Sequence, residues 1–588
     1  MWAARPLQNW KVRPGDDTTD DAALQLDERL LPMTNFPSEA LRVSEPIGEP
    51  TDVLGAWHAG EPPPAVQVDS SRDAFAIAAA RFRERVHVLR DRTTGDLGVS
   101  FDDSGPWSLE ASHALIASLP PVYPEWLGSA AFLQTHGVRF PYVTGAMAHG
   151  IATRRLVVAM ARAESLAFFG AAGLAPDDVE ANVVGIEGDL EGTGAAWGSD
   201  LIHTPHDPSI EEKLVDIYLA RGVRRVSASA FMRLTPAVVR YACTGLTLAR
   251  DGSVHRTNHL FSKLSRSEMA QLFMSPAPAE ILAALVDRGA LTPAEAELAA
   301  RVPVAEDITF EADSGGHTDN RPLTAMLPTL IALREEIQAK YGYHQSPRIG
   351  AAGGIGSPSA VAAAFALGAA YVMTGSVNQS TVEAGTSDLA KEMLAGAEPT
   401  DVAMCPSPDM FEMGVKVQVL KRGTLFASRS TLLRELYRVH AGLEEIPSET
   451  VARIEREIFQ RPLADVWTET RDYFASRMPG EVERAERDPK HKMALVFRWY
   501  IGLGSHWAIA GVPERKLDYQ IWCGPAMGAF NRWVRGSFLA NLQHRTVVQV
   551  ALNLLEGAAV FTRAQQLRSF GLPVPDAAFQ YSPRFLTS

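Results

Sequence analysis

The stretch RIGAAGGIGSPSAVAAAFALGAAYVMTGS, residues 348–376, holds the most pointed chemistry in the chain. A β-type run ends near Gly350. Gly353, Gly354 and Gly356 then form a loop without obstructing side chains, Ser357 suits an N-cap, and Pro358 suits the first helical turn. Gly368 ends that helix, and a second short run leads to Thr374, Gly375 and Ser376. Bare backbone N–H groups beside a helix start bind a phosphate dianion. A second stretch, ITFEADSGGHTDN, places Glu311, Asp313, Ser314, Gly315, Gly316 and His317 just past another β-type run. Its glycine pair lets backbone approach a flat ligand, and His317 is suited to donate a proton or to hydrogen-bond a carbonyl. A third, PYVTGAMAHGIATRRLVVAMARA, puts Gly145, Ala146 and Met147 after a run, small enough for a ring system to lie over the backbone.

Those loops need a scaffold that brings the ends of several strands together. From about Phe140, short β-type runs alternate with Ala- and Leu-rich helical stretches. The runs are Tyr142–Val143, Leu166–Phe169, Leu201–Ile202, Arg225–Ser229, Leu260–Lys263, Ile308–Glu311, Arg348–Gly350 and Val372–Thr374. Eight βα units with polar residues at the strand C-termini predict an α/β fold, a (β/α)8 TIM barrel, in which loops seven and eight commonly cradle phosphate. The rival is an open doubly wound sheet. It lacks an intact GxGxxG between a strand and a helix; Gly192 to Gly198 only approaches that spacing.

Around the barrel we expect an N-terminal extension over 1–135, a barrel over 136–430 with a helical insertion at about 266–306, and a helical, aromatic-rich C-terminal module over 431–588. Residues 1 to about 72 read as an extended arm. Residues 73–89 have helical spacing, and VHVLRDRTTGDLGVSF reads as a hairpin. The 588 residues are 46% hydrophobic and 21% charged with a net charge of −13, which argues against a nucleic-acid binder. Cys243, Cys405 and Cys523 are widely spaced, so no disulfide framework is expected and the cytoplasm is the natural home. The N-terminal residues show no apolar signal core, and the run Ala360–Met373 is too short to span a bilayer.

Eight segments together carry a family resemblance. They are GIATRRLVVAMARAESLAFFGAAGL, LIHTPHDP, RRVSASAFMRLTPAVVRY, EADSGGHTDNRPLTAMLPT, GAAGGIGSPSAVAAAFALGAAYVMTGSVNQ, FEMGVKVQVLKRGTLFA, DPKHKMALVFRWY and DYQIWCGPAMGAFNRWVRGS. Across roughly residues 120–570 the chain resembles the PfaD family, trans-acting enoyl reductases of polyunsaturated fatty acid and polyketide synthases. More distantly it is similar to nitronate monooxygenase and the FabK-type reductases. The resemblance implies a barrel that holds FMN, is reduced by NADPH, and acts on 2-enoyl thioesters carried by acyl carrier protein domains, with a homodimer left open. It implies that Gly145, Ala146 and Met147 lie along the flavin ring and that Gly353, Gly354, Gly375 and Ser376 bind its phosphate. Ser314, Gly315 and Gly316 would be further cofactor contacts, His317 the active-site group, and Lys263 a polar contact from the fifth strand. Asp200 stands where the relatives usually have Asn, and a carboxylate donates to a flavin carbonyl only when protonated.

Other residues carry weaker signals. His203 and His206, or His255 and His259, have spacings that suggest a metal, but neither pair has a convincing third ligand, and no metal is expected. Cys523 reads as a buried small hydrophobe rather than a nucleophile. The aromatic C-terminal region, with Trp499, Trp507, Trp522 and Trp533, reads as a helical cap, with an acyl-chain lid or carrier-docking surface as the alternative. Basic residues such as Arg154-Arg155, Arg224-Arg225 and Lys421-Arg422 suit either an acidic carrier protein or solvent. Three competing functions share the barrel: a nitronate monooxygenase-type flavin oxidase, an inactive scaffold subunit of a synthase, and a barrel like inosine monophosphate dehydrogenase. The last wants a loop cysteine, and none lies near the seventh unit.

Overall fold

The computed structural model describes residues 68–102, 112–205 and 207–587. Eight parallel strands close into a barrel: Tyr142–Thr144, Leu166–Phe169, Gly198–Ile202, Arg225–Ser229, His259–Leu264, Asp307–Glu311, Arg348–Ala352 and Val372–Thr374. They are numbered here one to eight. Strand eight pairs with strand one through Val372–Tyr142, Met373–Val143 and Thr374–Thr144, which closes the ring. The strands are short and almost wholly buried because helices cover them outside and side chains fill them inside, and they mix apolar residues with polar ones, as in GSDLI and RVSAS. The intervening helices start where the sequence provides caps. Thr153 accepts from the N–H of Leu156, Thr235 from Val238 and Ser357 from Ala360. The connection after strand five is lengthened by helices Ser267–Met274, Ala279–Asp287 and Pro293–Ala299.

The bottom of the barrel is plugged by ions. Asp307, first residue of strand six, takes two hydrogen bonds from the Arg348 guanidinium at 2.7 Å each, and His136 Nε2 lies 2.9 Å from its second oxygen. Glu306 pairs with Arg256 and His259. His136, Glu306 and Asp307 converge closely enough to hold a cation, but guanidinium groups already occupy the carboxylates. Position at the N-terminal face and saturation with partners make this a stability feature.

The helical reading of residues 73–89 is corrected. The helix spans Arg72–Ala80 and the chain then enters a strand, Val86–Asp91, because VHVL alternates with period two and has partners on both sides. Those partners are Leu97–Ser100, completing the expected hairpin, and His113–Leu119. The extended arm expected over 1–72 lies almost entirely outside the described residues. The small sheet and its helix pack on a long C-terminal helix, Val547–Ser569, where Phe75, Val86 and Val88 meet Leu567. That helix is long and apolar enough to cross a membrane, yet 78% of its apolar window is buried inside the molecule. Its other face packs on the Pro358–Ala366 helix, where a Cβ added to Gly557 would stand 2.5 Å from Pro358.

The remaining C-terminal chain is helical, from Phe426–Val439 through Pro489–Ala510 to Ala526–Val534. The sequence reading missed a strand pair, Val402–Pro406 with Lys416–Leu420. Gly316 and His317 add to it as a third short strand, pairing with Gln418 and Val417. This sheet lies over the C-terminal end of the barrel and ties the sixth loop to the C-terminal helices.

Candidate active site

A cavity of about 380 Å3 opens at the C-terminal ends of the barrel strands, within the range of roughly 300–1,000 Å3 typical of small-molecule sites. It gathers twelve of the thirteen residues singled out from the sequence. Gly145, Ala146 and Met147 come from loop one and Lys263 from strand five. Ser314, Gly315, Gly316 and His317 come from loop six, Gly353 and Gly354 from loop seven, and Gly375 and Ser376 from loop eight.

Loops seven and eight form an anion cradle. Among the described residues, the backbone N–H groups of Gly354, Ile355, Gly375 and Ser376 have no protein acceptor, and all four residues line the cavity. A Cβ added to Gly354 or Gly375 would meet nothing within 4 Å, so any side chain there would project into the cradle. These features fit a phosphate group held by backbone N–H. Ser376 Oγ accepts from the N–H of Gly524 at 3.0 Å, which leaves its own hydrogen to donate.

The polar floor is internally balanced. Lys263 forms an ion pair with Glu311, and Glu311 also accepts from Ser314 Oγ at 3.0 Å. Gly315 lines the cavity and has a second, packing role. A Cβ there would lie 2.7 Å from the backbone nitrogen of Cys523, so the glycine also admits the C-terminal segment.

His317 is half-buried, with Nε2 3.0 Å from Ser407 Oγ and 3.2 Å from Asp409 Oδ1. Ser407 also donates to Asp409. Enclosure disfavours charge on the imidazole, but the Asp409 carboxylate outweighs it and holds the His317 pKa above the ordinary value. The same pairing holds the Asp409 carboxyl below the usual range, against its own desolvation. Nδ1 is left for a ligand. No signal in the loop 407–415 pointed to Asp409, because the missed hairpin is what delivers it.

Asp200 is the exception. It is buried beneath the cavity, outside the lining, and its Oδ1 accepts from the N–H groups of Ala171 and Ala172 at 2.6 and 3.1 Å. Both backbone donors to Asp200 fall on Oδ1. Desolvation raises its pKa to about 6, opposed by those N–H groups and by Lys263.

The sequence reading named the C-terminal aromatic region as a cap, or alternatively a lid, but did not pick out which of its residues line the wall. Gly502, Ser505, His506, Trp522 and Ala526 line the cavity. Trp522 stacks on His149 with ring centroids 5.6 Å apart and planes 10° apart, and Gln379 donates to its carbonyl at 2.8 Å. Burial, and then His506, pushes the His149 pKa down to about 3, so His149 is neutral. His203, from loop three, lines the cavity too, whereas His255 lies on a small hairpin and His259 in the bottom ion cluster. His206 lies outside the described residues. Cys523 is buried and its thiol is pushed up to about 12 by burial, which removes the thiolate a nucleophile requires.

The fold and the site define a (β/α)8-barrel protein with open backbone N–H groups and a histidine–carboxylate pair at one mouth. The enoyl reductase domain of MlnA, from the macrolactin biosynthesis cluster of Bacillus amyloliquefaciens, superposes with a TM-score of 0.72 at 36% identity, covering 76% of this chain and 99% of that domain. The chain belongs to the family of that domain. A polyunsaturated fatty acid synthase polypeptide of Thraustochytrium sp. (strain ATCC 26185 / S-3) is 47% identical over 508 residues, 85% of this chain and 33% of that protein. Polyketide biosynthesis protein PksE of Bacillus subtilis (strain 168) is 44% identical over 436 residues, 74% of this chain and 56% of PksE. The chain thus spans about a third to a half of these relatives. The [Acyl-carrier-protein] S-malonyltransferase inserted helical domain matches residues 440–519, which fold as helices outside the barrel.

Proposed function

We propose that this chain is a PfaD-type enoyl reductase that acts in trans, reducing 2-enoyl thioesters on acyl carrier protein domains of a polyunsaturated fatty acid or polyketide synthase. The observation that carries this is the match over 99% of an enoyl reductase domain at 36% identity. The relatives named for polyunsaturated fatty acid and polyketide synthesis support the synthase setting. Three buried free cysteines fit a reducing compartment, the cytoplasm.

In this reading bound FMN would supply the hydride chemistry, with NADPH as the donor and the β-carbon of the enoyl thioester as the acceptor. Gly354, Ile355, Gly375 and Ser376 would hold its phosphate, and Gly145, Ala146 and Met147 would line its ring. Reduction leaves charge on the thioester oxygen and an α-carbon in need of a proton. His317, paired with Asp409, would present Nδ1 to that oxygen. The apolar walls of the cavity exclude water and strengthen this interaction.

The test is turnover: NADPH oxidation by the FMN-loaded protein with a crotonyl group on a carrier protein, with the product mass recorded. A mass gain of two hydrogens on the acyl group is expected. NADPH oxidation without that gain, yielding only reduced oxygen, would overturn the reading in favour of a flavin oxidase.

A further inference from the structure

The cavity contains a second histidine–carboxylate pair that the proposed function leaves unused. His203 follows strand three, and its Nδ1 lies 2.8 Å from Glu211 Oε1. Both side chains are buried, with 3% and 2% exposure. Glu211 is saturated: Oε1 also accepts from the N–H of Thr204 at 2.6 Å, and Oε2 from Thr235 Oγ1 at 2.8 Å. The His203 ring stacks on Phe231 with centroids 5.0 Å apart and planes 21° apart. Phe231 reaches that position because Ala230 adopts φ +60°, a conformation an L-residue takes at some cost and one that gathers at functional sites. One edge and one face of the imidazole are thereby fixed. Nε2 has no protein partner among the described residues, and the residue lines the cavity.

This arrangement fixes a tautomer. Desolvation raises the Glu211 pKa, but the hydrogen bonds from His203, Thr204 and Thr235 outweigh it and hold the carboxyl below its ordinary value, so Glu211 is ionised at neutral pH. An ionised Glu211 accepts Nδ1–H, which makes Nε2 the nitrogen that gains and loses a proton. Enoyl reduction has two such needs, a charge facing the thioester oxygen and a proton for the α-carbon. His317, whose carboxylate partner favours retention of its proton, suits the first.

We propose that His203 is the acid that protonates the α-carbon, with Glu211 as its positioning residue; this rests on the enoyl reductase reading. The carbon–carbon π bond breaks as hydride from the reduced cofactor, replenished by NADPH, bonds to the β-carbon. The electron pair left at the α-carbon takes the proton from His203 Nε2. His203 becomes a neutral imidazole still donating Nδ1–H to Glu211, and water returns the proton.

Two measurements test this. In stopped flow with the FMN-loaded protein, His203→Asn leaves reduction by NADPH within about threefold of wild type and slows reoxidation by crotonyl thioester about 100-fold or more. Glu211→Gln slows the same step about tenfold. Histidine 15N spectra of the protein without cofactor report Nδ1 of His203 as protonated whether or not Nε2 carries a proton, and Glu211→Gln lets the neutral ring mix its tautomers. These spectra stand even if His203→Asn does not fold. Reoxidation of His203→Asn at the wild-type rate, or an Nε2–H tautomer in the wild type, overturns the proposal alone. A wild type that no enoyl thioester reoxidises overturns the underlying enzyme reading instead, and this proposal with it.

Discussion

At the scale of single residues, two carboxylates in this protein have opposite tasks. Asp409 favours charge on His317, whose proton affinity is raised, so the imidazolium is lost at higher pH than that of an ordinary imidazole. Asp409→Asn removes the attraction and leaves enclosure and Lys263 acting against the charge. The alkaline limb of the thioester-dependent step then moves to lower pH, with a rate about tenfold or more below wild type at pH 8. A pH series of flavin reoxidation checks this; an unmoved limb would show that Asp409 does not tune His317. The pair's contribution to stability is full below the ordinary histidine pKa of about 6.5 and lost as pH rises through the raised value; at the acid end it is lost as pH falls below the ordinary carboxyl value. Asp200 behaves differently. Its folded pKa is raised from 3.8 to about 6, so ionising it in place costs about 3 kcal/mol. Stability is therefore highest below pH 4 for this group and declines as pH rises through 6. Asp200→Asn, which keeps an acceptor for Ala171 and Ala172, should flatten that slope, as melting temperature from pH 4 to 7 will show.

At the scale of elements, the barrel was legible and the sheet over it was not. All eight strands were visible because each is a short buried run bounded by Gly, Ser, Asp or His. The cradle was visible because its loop glycines stand between a strand and a capped helix. The strands Val402–Pro406 and Lys416–Leu420 escaped because a long loop separates them and their third partner is two residues long. With them went Ser407 and Asp409, and hence the partners of His317. The glycine pair at 315–316 was seen, but its contact with Cys523 joins residues far apart in sequence, and no local pattern encodes that. The cradle offers a clean perturbation. Gly375 has a negative φ of −129°, outside the left-handed region, and open space at its Cβ. Gly375→Val should leave melting temperature within about 2 °C and weaken FMN binding about tenfold or more by obstructing the N–H groups. Flavin fluorescence titration measures it.

At the scale of the whole molecule, the mouth of the barrel carries the proposed chemistry and the bottom holds the ring closed. Arg348 joins strands six and seven through Asp307, with Glu306 and His136 beside it. Arg348→Ala leaves a buried carboxylate without its main partner, which costs about 3–5 kcal/mol in denaturant unfolding. Because the site lies at the opposite face, FMN affinity of the folded fraction should not change. The C-terminal chain belongs to both ends of this division. Helix Val547–Ser569 joins the N-terminal sheet to the barrel, while Trp522 and His506 complete the cavity wall. In the proposed function, the cavity so formed passes hydride from NADPH to an enoyl thioester. The decisive measurement is an anaerobic flavin spectrum of the FMN-loaded protein, recorded after NADPH and again after crotonyl thioester. Bleaching by NADPH and recovery of the oxidised spectrum with the thioester are expected. A flavin that NADPH does not bleach, or one that stays bleached with free and carrier-bound thioester alike, would contradict the proposal.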